Sequence, residues 1–203
     1  MNFPSKSLEK AVLAISSLPG IGKKTALRLV LHMVQDEFRK SENIVNSLTD
    51  LKINLKHCKK CHIIADKDVC DICSSAYRNK RQICVVESLR DVMAIEDTQQ
   101  FNGVYHILGG IISPINGVGP SDLNIESLLM RINEDQVEEL IMAISPTIDG
   151  DTTIFYISKL LAAQTIKITT IARGVSFGGE LEYADELTLG RSITTRIPYS
   201  TSK

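Results

Sequence analysis

No apolar run in this 203-residue chain approaches the roughly 18 residues that a membrane-spanning helix needs. The first 17 residues also lack the layout of a secretory signal, because their apolar stretch is short and no small-residue cleavage site follows. Both absences predict a cytoplasmic protein with no membrane partner. A surplus of charge is missing too: the formal net charge is -1. Taken whole, that speaks against a nucleic-acid binder, since such domains are usually basic. The five cysteines do not make a disulfide framework, being odd in number with four of them in one short segment. In an intracellular chain that pattern points to metal before disulfides. With 43% hydrophobic and 23% charged residues, the chain is neither a disordered tail nor a fibre nor a disulfide-stapled mini-protein. Its length admits one large domain or two to three small ones.

The near-zero net charge conceals an asymmetry. Residues 1–83 carry 15 Lys/Arg against 8 Asp/Glu, a balance of +7, and residues 84–203 carry 8 against 16, a balance of -8. A basic half joined to an acidic half suggests different partners for each.

In the basic half, Leu8, Ala11, Val12 and Ile15 recur at i, i+3, i+4 and i+7, which predicts an amphipathic helix over 7–17 with Ser7 as its N-cap. Ala26, Leu27, Val30, Leu31 and Val34 mark a second helix. Between them lies Leu18-Pro19-Gly20-Ile21-Gly22. Gly20 and Gly22 can take positive φ and let another backbone approach closely. The following helix offers unpaired N–H groups and the positive end of its dipole, which together seat a phosphate. Lys23, Lys24 and Arg28 add charge there. The pattern resembles a helix-hairpin-helix motif, which grips a nucleic-acid backbone without reading sequence. An ordinary helical hairpin is the plainer alternative. A nucleotide-binding P-loop fits poorly, since Gly22-Lys23 is followed by Lys24 and position 17 is Ser. A third helix is expected over 41–56, capped by Ser41, with Ile44, Val45, Leu48, Leu51 and Leu55 as a packing stripe.

Cys58-Lys59-Lys60-Cys61 and Cys70-Asp71-Ile72-Cys73 then supply four thiolates, as two pairs eight residues apart. Four is the number that tetrahedral Zn²⁺ takes in a closed structural site, with no position left for water. Redox disulfides are the alternative. His57 and His62 adjoin the first pair as neighbours, not ligands. Lys56, Lys59, Lys60, Arg78, Lys80 and Arg81 surround the segment, either touching phosphate or forming a solvated face.

From residue 83 strands alternate with helices. Strands are expected at 83–86, 104–108, 140–144 and 166–172, helices at 89–96, 125–133 and 152–163, and a loop at 113–122. This is the pattern of a parallel sheet with helices on its faces. Cys84 reads as an inert core residue. Glu87 ends the first of these strands, and Asp149-Gly150-Asp151 follows the third. Sites in such sheets form at the carboxyl ends of strands. The three carboxylates could hold Mg²⁺ through oxygen, or the Asp-Gly-Asp could serve as helix cap and turn. The combination resembles the Toprim domain of topoisomerases, primases and some nucleases.

The order of these parts, followed by Arg173-Gly174-Val175-Ser176-Phe177-Gly178-Gly179-Glu180-Leu181, resembles the RecR family of bacterial recombination mediators over essentially the full length. The resemblance implies an α/β fold: a helix-hairpin-helix region at 1–56, a four-cysteine zinc finger at 57–78, a Rossmann-like Toprim domain at 79–173 and a C-terminal extension at 174–203 that serves oligomerisation. It implies a zinc site at Cys58, Cys61, Cys70 and Cys73. It implies DNA contacts from the hairpin, including Gly20, Gly22, Lys24 and Arg28, with Lys23 standing where many relatives have proline. The family's Toprim acids match Glu87, Asp149 and Asp151, which would bind Mg²⁺ or a partner. Family members form dimers or ring-like tetramers on gapped, single- and double-stranded DNA. They act with RecO and RecF to promote RecA loading in DNA repair, and they are not enzymes. A Mg²⁺-dependent nuclease is the alternative. A topoisomerase would need a nucleophilic Tyr in a dedicated domain, for which this chain has no room.

Overall fold

The computed structural model describes residues 3–35 and 39–199, with the side chains of 39 and 40 excepted. The extreme ends of the first and last expected regions therefore lie outside the described residues. The chain forms two units, Met1–Leu55 and Lys56–Lys203.

The first unit is helical: α1 (Lys6–Ser16), α2 (Lys23–Gln35) and α3 (Arg39–Asn54). α1 starts one residue earlier than the apolar spacing predicts. Its cap is Ser5, not Ser7: the Ser5 carbonyl accepts from Glu9 N and its hydroxyl from Leu8 N. Val12, Ala26 and Val30 form a small core between α1 and α2, with Leu8, Ala11, Ile15, Ile21 and Leu27 against it. Among the described residues of the first unit, the expected packing role of α3 is not met. Ile44, Val45, Leu48 and Leu51 have the right period, yet each is 42–61% exposed, and neither α1 nor α2 covers that stripe. Ser41 lies inside α3 and does not cap it.

The second unit opens with a two-stranded antiparallel ribbon, β1 (Lys56–His57) and β2 (Ile64–Ala65), and a single helical turn, α4 (Asp71–Ser74). A parallel sheet follows: β3 (Asn79–Val86), β4 (Gly103–Ile107), β5 (Glu139–Ala143) and β6 (Lys167–Thr170), in the order β4-β3-β5-β6. Each strand of this sheet was expected, and all three pairings are parallel. The connections carry α5 (Leu89–Asp97), α6 (Ile125–Glu134) and α7 (Ile148–Leu160). Two 3-10 turns, Pro114–Asn116 and Pro120–Asp122, shape the Gly/Pro-rich loop between β4 and α6. The tail adds α8 (Glu186–Thr194), capped by Asp185, which the scarcity of apolar runs in that stretch did not reveal.

Side chains alternate across the sheet, as the period of two requires. Ile83, Val85, Val104, Leu108, Leu140 and Met142 face one side, where Leu128 and Ile132 of α6 and Ile157 of α7 cover them. Cys84, Val86, Tyr105 and Ile107 face the other. There the cover comes from Val92 of α5 and from the four-cysteine segment itself, with Cys58, Cys61, Ile63, Cys70 and Cys73 all buried in the same cluster. Cys84 is thus the core residue that its position in an apolar run predicts, and burial pushes its thiol up to about 12.

β4 is an edge strand, and three of its outward polar groups have partners beyond the sheet. Gly103 O accepts from Arg78 Nη1 at 3.3 Å, Tyr105 O from Arg131 Nη1 at 2.7 Å, and Ile107 N donates to Cys61 O at 2.9 Å. Arg78 is held for this by a two-pronged ion pair with Glu96 of α5. Glu96 also accepts from the Tyr105 hydroxyl at 2.6 Å.

Candidate nucleic-acid interface and metal centre

The turn between α1 and α2 is built by its sequence. Ile21 N donates to Leu18 O at 3.1 Å, closing a four-residue turn with Pro19 second and Gly20 third. Proline pre-sets the second position, and Gly20, at φ +81°, supplies the left-handed third, the arrangement of a type II turn. Gly22 O then accepts from Ala26 N at 2.9 Å and starts the helical ladder. A Cβ on Gly22 would meet nothing within 4 Å, so internal packing does not demand glycine there. What the missing side chain leaves is open access to the first N–H groups of α2, which have no intrahelical acceptor.

Lys23, Lys24 and Arg28 are all exposed, and the first turn of α2 holds no acid. Lys24 and Arg28, four residues apart, share a helix face. With Leu27, Leu31, His32 and Gln35 they line an open groove of about 420 Å³. His32 extends the strip by one more turn; its i+4 spacing from Arg28 was the available signal and was overlooked. Neither Lys24 nor Arg28 has a carboxylate partner among the described residues.

The cations around the cysteines are arranged differently. Lys59 pairs with Asp68 at 2.6 Å and Lys56 with the same carboxylate at 3.2 Å. Lys60 pairs with Asp135 at 3.4 Å, Arg78 with Glu96, and Arg81 with Glu138 at 2.5 Å. Of the six basic residues singled out here, five are balanced by acids, which favours the solvated face over a phosphate track.

Cys58, Cys61, Cys70 and Cys73 come together as predicted. All four are buried, and their Sγ atoms lie within 4.8 Å of one another. A tetrahedral ion with bonds of about 2.3 Å sets its sulfurs about 3.8 Å apart; Cys61 and Cys70 Sγ are 3.5 Å apart. Two backbone N–H groups point at the sulfurs, Cys70 N to Cys58 Sγ at 3.3 Å and Cys73 N to Cys70 Sγ at 3.4 Å. Such donors favour thiolate. Hydrogen bonds from Cys61 and then Cys73 hold the Cys70 thiol well below its ordinary range. The donor set, its closure and its burial fit a structural Zn²⁺ held by four sulfurs. His62 sits at φ +63° in the first knuckle, with Nε2 2.8 Å from Ser127 Oγ and its ring edge-on to His106. His57 Nδ1 lies 3.3 Å from His62 O. Both histidines are neighbours of the site.

The three acids do not gather as a ligand set. Among the described residues the four cysteines are the one group of metal-ligating side chains close enough to hold an ion. Glu87 Oε1 accepts from Ser145 N at 2.7 Å and so ties the ends of β3 and β5 together. α7 begins at Ile148, four residues before the expected start, because Thr147 caps it by accepting from Gly150 N at 3.0 Å. Asp149 and Asp151 therefore lie in its first turn, where the helix dipole favours carboxylates. Asp151 is engaged by Arg173 at 2.7 Å and Arg191 at 3.5 Å, which also anchors the tail. The Arg173 guanidinium holds the Asp151 carboxyl below its ordinary range. Arg173 and Arg191 escaped the sequence reading because pairings across 22 and 40 residues leave no local pattern.

Gly150 has a purely steric reason. A Cβ there would fall 2.1 Å from Ser145 O, a backbone atom that cannot swing aside. Gly150→Ala is expected to cost about 2–3 kcal/mol by forcing α7 off the sheet end. Urea unfolding of the two proteins side by side measures this; equal midpoints would refute the clash.

Comparison with known families matches every part in order. Residues 8–52 match the model described as RecR, helix-hairpin-helix, and residues 55–75 match the RecR zinc finger domain of the four-cysteine type. Residues 81–172 match the Toprim domain and 174–197 match RecR, C-terminal. The chain is 57% identical to the Recombination protein RecR of Cytophaga hutchinsonii, covering 100% of both. It is 55% identical to that of Flavobacterium johnsoniae, over 98% of this chain and 97% of the relative. It is likewise 55% identical to that of Bacteroides thetaiotaomicron, over 96% and 95%. The four-cysteine cluster is accordingly a structural zinc site. With hairpin, zinc finger, sheet and tail all accounted for at full length, the chain belongs to the RecR family.

Proposed function

We propose that the protein is a recombination mediator in DNA repair: a non-enzymatic, sequence-independent DNA clamp that acts with RecO and RecF to promote RecA loading at single-stranded gaps. One observation carries the DNA-binding part. Lys24 and Arg28 lie on one face of α2 with no carboxylate partner among the described residues, beside an open turn whose Gly22 has no packing reason to be glycine. A phosphate seated on the N–H groups there gains the helix dipole and both cations, with no base contacted. Lys23 adds a third charge at the same end. One such grip is weak, and several copies in one assembly act together through effective concentration.

Two surfaces support self-association into a homodimer or a tetrameric ring. One is the bare stripe of α3. The other is the tail, where Phe177, Tyr183, Ile197 and Tyr199 are each at least 80% exposed. The acidic second half suits a basic partner protein such as RecO. No helix among the described residues is long and apolar enough to cross a membrane. The place of work in this reading is the nucleoid, in the cytoplasm, where gapped DNA arises. The ion pairs on Asp151 and the backbone bond on Glu87 weigh against the nuclease alternative.

The deciding experiment measures affinity for gapped, single-stranded and duplex DNA of unrelated sequences at several salt concentrations, with Mg²⁺ or Mn²⁺ present and the strands examined for cleavage. Intact DNA is expected, bound without sequence preference. Log affinity should fall against log salt with a slope of about -2 to -3 per engaged chain, for three cations. Cleavage that disappears in Asp149→Asn would overturn the non-enzymatic reading. Absence of binding would overturn the clamp.

A further inference from the structure

Arg131 is the least exposed cation of the described chain, at 5%, and sequence reasoning gave it no role. It projects from α6 towards the edge of the sheet, and its guanidinium touches four different pieces of the fold. Nη1 donates to Tyr105 O of β4 at 2.7 Å and to Lys60 O, between the first pair of cysteines, at 3.3 Å. Nη2 lies 3.8 Å from Cys73 Sγ, in the second pair. Nε donates to Asp135 Oδ2 at 3.1 Å. Asp135 in turn takes Lys60 Nζ at 3.4 Å.

A buried charge with so many partners is not there for solvation. Four thiolates around Zn²⁺ leave two net negative charges in a closed, buried cluster, and an uncompensated buried charge is costly. Guanidinium stays ionised and offers its donors in a rigid planar fork. Here one prong faces a ligand sulfur while another fixes the backbone of the opposite knuckle. Lys60 and Asp135 complete a loop of alternating charge beside it.

We propose that Arg131 is a positioning residue of the zinc centre: it clamps both cysteine knuckles to the edge of the sheet and places the compensating positive charge against the Cys73 sulfur. Partners behind a metal's direct ligands set affinity strongly, their loss costing about 10–100-fold. The same magnitude is expected here, expressed as faster loss of zinc.

The test uses the zinc-loaded full chain. Zinc transfer to a chromogenic chelator is timed for wild type, Arg131→Gln, Arg131→Lys and Leu128→Ala. The last removes a wholly buried side chain of the same helix that packs on the sheet away from the sulfurs. A cobalt-substituted form of each reports the sulfur-to-cobalt charge-transfer band, which follows the charge and hydrogen bonding at sulfur and not global stability. Arg131→Gln, which keeps donors but loses the charge, is expected to release zinc about 10–100-fold faster and to shift the band to lower energy. Arg131→Lys, which keeps the charge but loses the fork, should fall between Arg131→Gln and wild type in both readouts. Leu128→Ala should lower the melting temperature and leave the band in place. Wild-type release rates in Arg131→Gln would overturn the proposal. So would a rate change no larger than that of Leu128→Ala with an unmoved band. Should Arg131→Gln fail to fold, Arg131→Lys decides: a wild-type band and rate there would reject the role of the fork.

Discussion

Cys70→Ser is expected to empty the zinc site and to unfold the segment over 56–75, with a loss of several kcal/mol for the second unit as a whole. Cys70 is the most heavily used of the four. Its N–H donates to Cys58 Sγ, its sulfur accepts from Cys73 N and lies 3.5 Å from Cys61 Sγ, and it caps the turn of α4. The apparent free energy of structural zinc in small fingers is about 10–16 kcal/mol. A whole domain is stable by only about 5–15 kcal/mol. Loss of one thiolate therefore changes the sign of the local balance. The damage does not stay in the finger, because its cysteines and Ile63, with Val92 of α5, cover one face of the β3 and β4 strands. Metal analysis and thermal unfolding measure the effect together. One zinc per chain is expected in the wild type. A variant that melts at the wild-type temperature, or a folded wild type without metal, would refute the assignment.

Reversing both charges of the α2 strip, Lys24→Glu with Arg28→Glu, is expected to reduce DNA affinity by at least about 100-fold. A hydrogen bond to a charged group contributes about 1.5–3 kcal/mol, and each 1.4 kcal/mol is a factor of about ten. The two new carboxylates would also repel phosphate from the first turn of α2. The slope of log affinity against log salt should fall by about 2 for each engaged chain, since two counterion-releasing contacts are gone. Folding should survive, because both side chains are exposed and neither belongs to the small core around Val12, Ala26 and Val30. The same reversal at Lys59, whose ammonium is held on Asp68 at 2.6 Å, should leave affinity near wild type. Equal loss from both variants would mean general electrostatics and no dedicated grip. Unchanged binding in the double reversal would remove the hairpin from the mechanism.

What could be read ahead of the structure follows a physical line. Local patterns were legible: two Cys-x-x-Cys pairs, a Pro-Gly-Ile-Gly turn between two periodic segments, and short apolar runs that became parallel strands. Each depends on residues within a few positions of one another. Pairings between distant segments were not legible. Arg131 reaches Cys73 and Tyr105, and Arg173 and Arg191 meet Asp151, without any spacing rule to announce it. The Asp-Gly-Asp stretch was placed before the helix, and the structure sets it inside the first turn. Thr147, an equally good cap a few residues earlier, moved the helix start and left the acids in its first turn. The stripe on α3 has the period of a packed helix, and period alone does not say whether anything covers it. The charge split also needed the structure. Most of the basic residues near the cysteines are paired with neighbouring acids, while Lys24 and Arg28 on α2 have no such partner among the described residues.

The partly covered outer edge of β4 bears on the life of the protein in a crowded cell. An unpaired strand edge is a template for another chain, and natural sheets blunt it with charge, bulges or a covering segment. Here the cover is a guanidinium at Tyr105 O and a metal-held knuckle at Ile107 N. A chain that has not yet acquired its ion, or has lost it to a chelator, displays that edge and the valine, isoleucine and tyrosine side chains beside it at once. Metal loading and resistance to aggregation are then a single event, and zinc-starved cells should accumulate this protein in inclusions or degrade it before its DNA grip is ever tested.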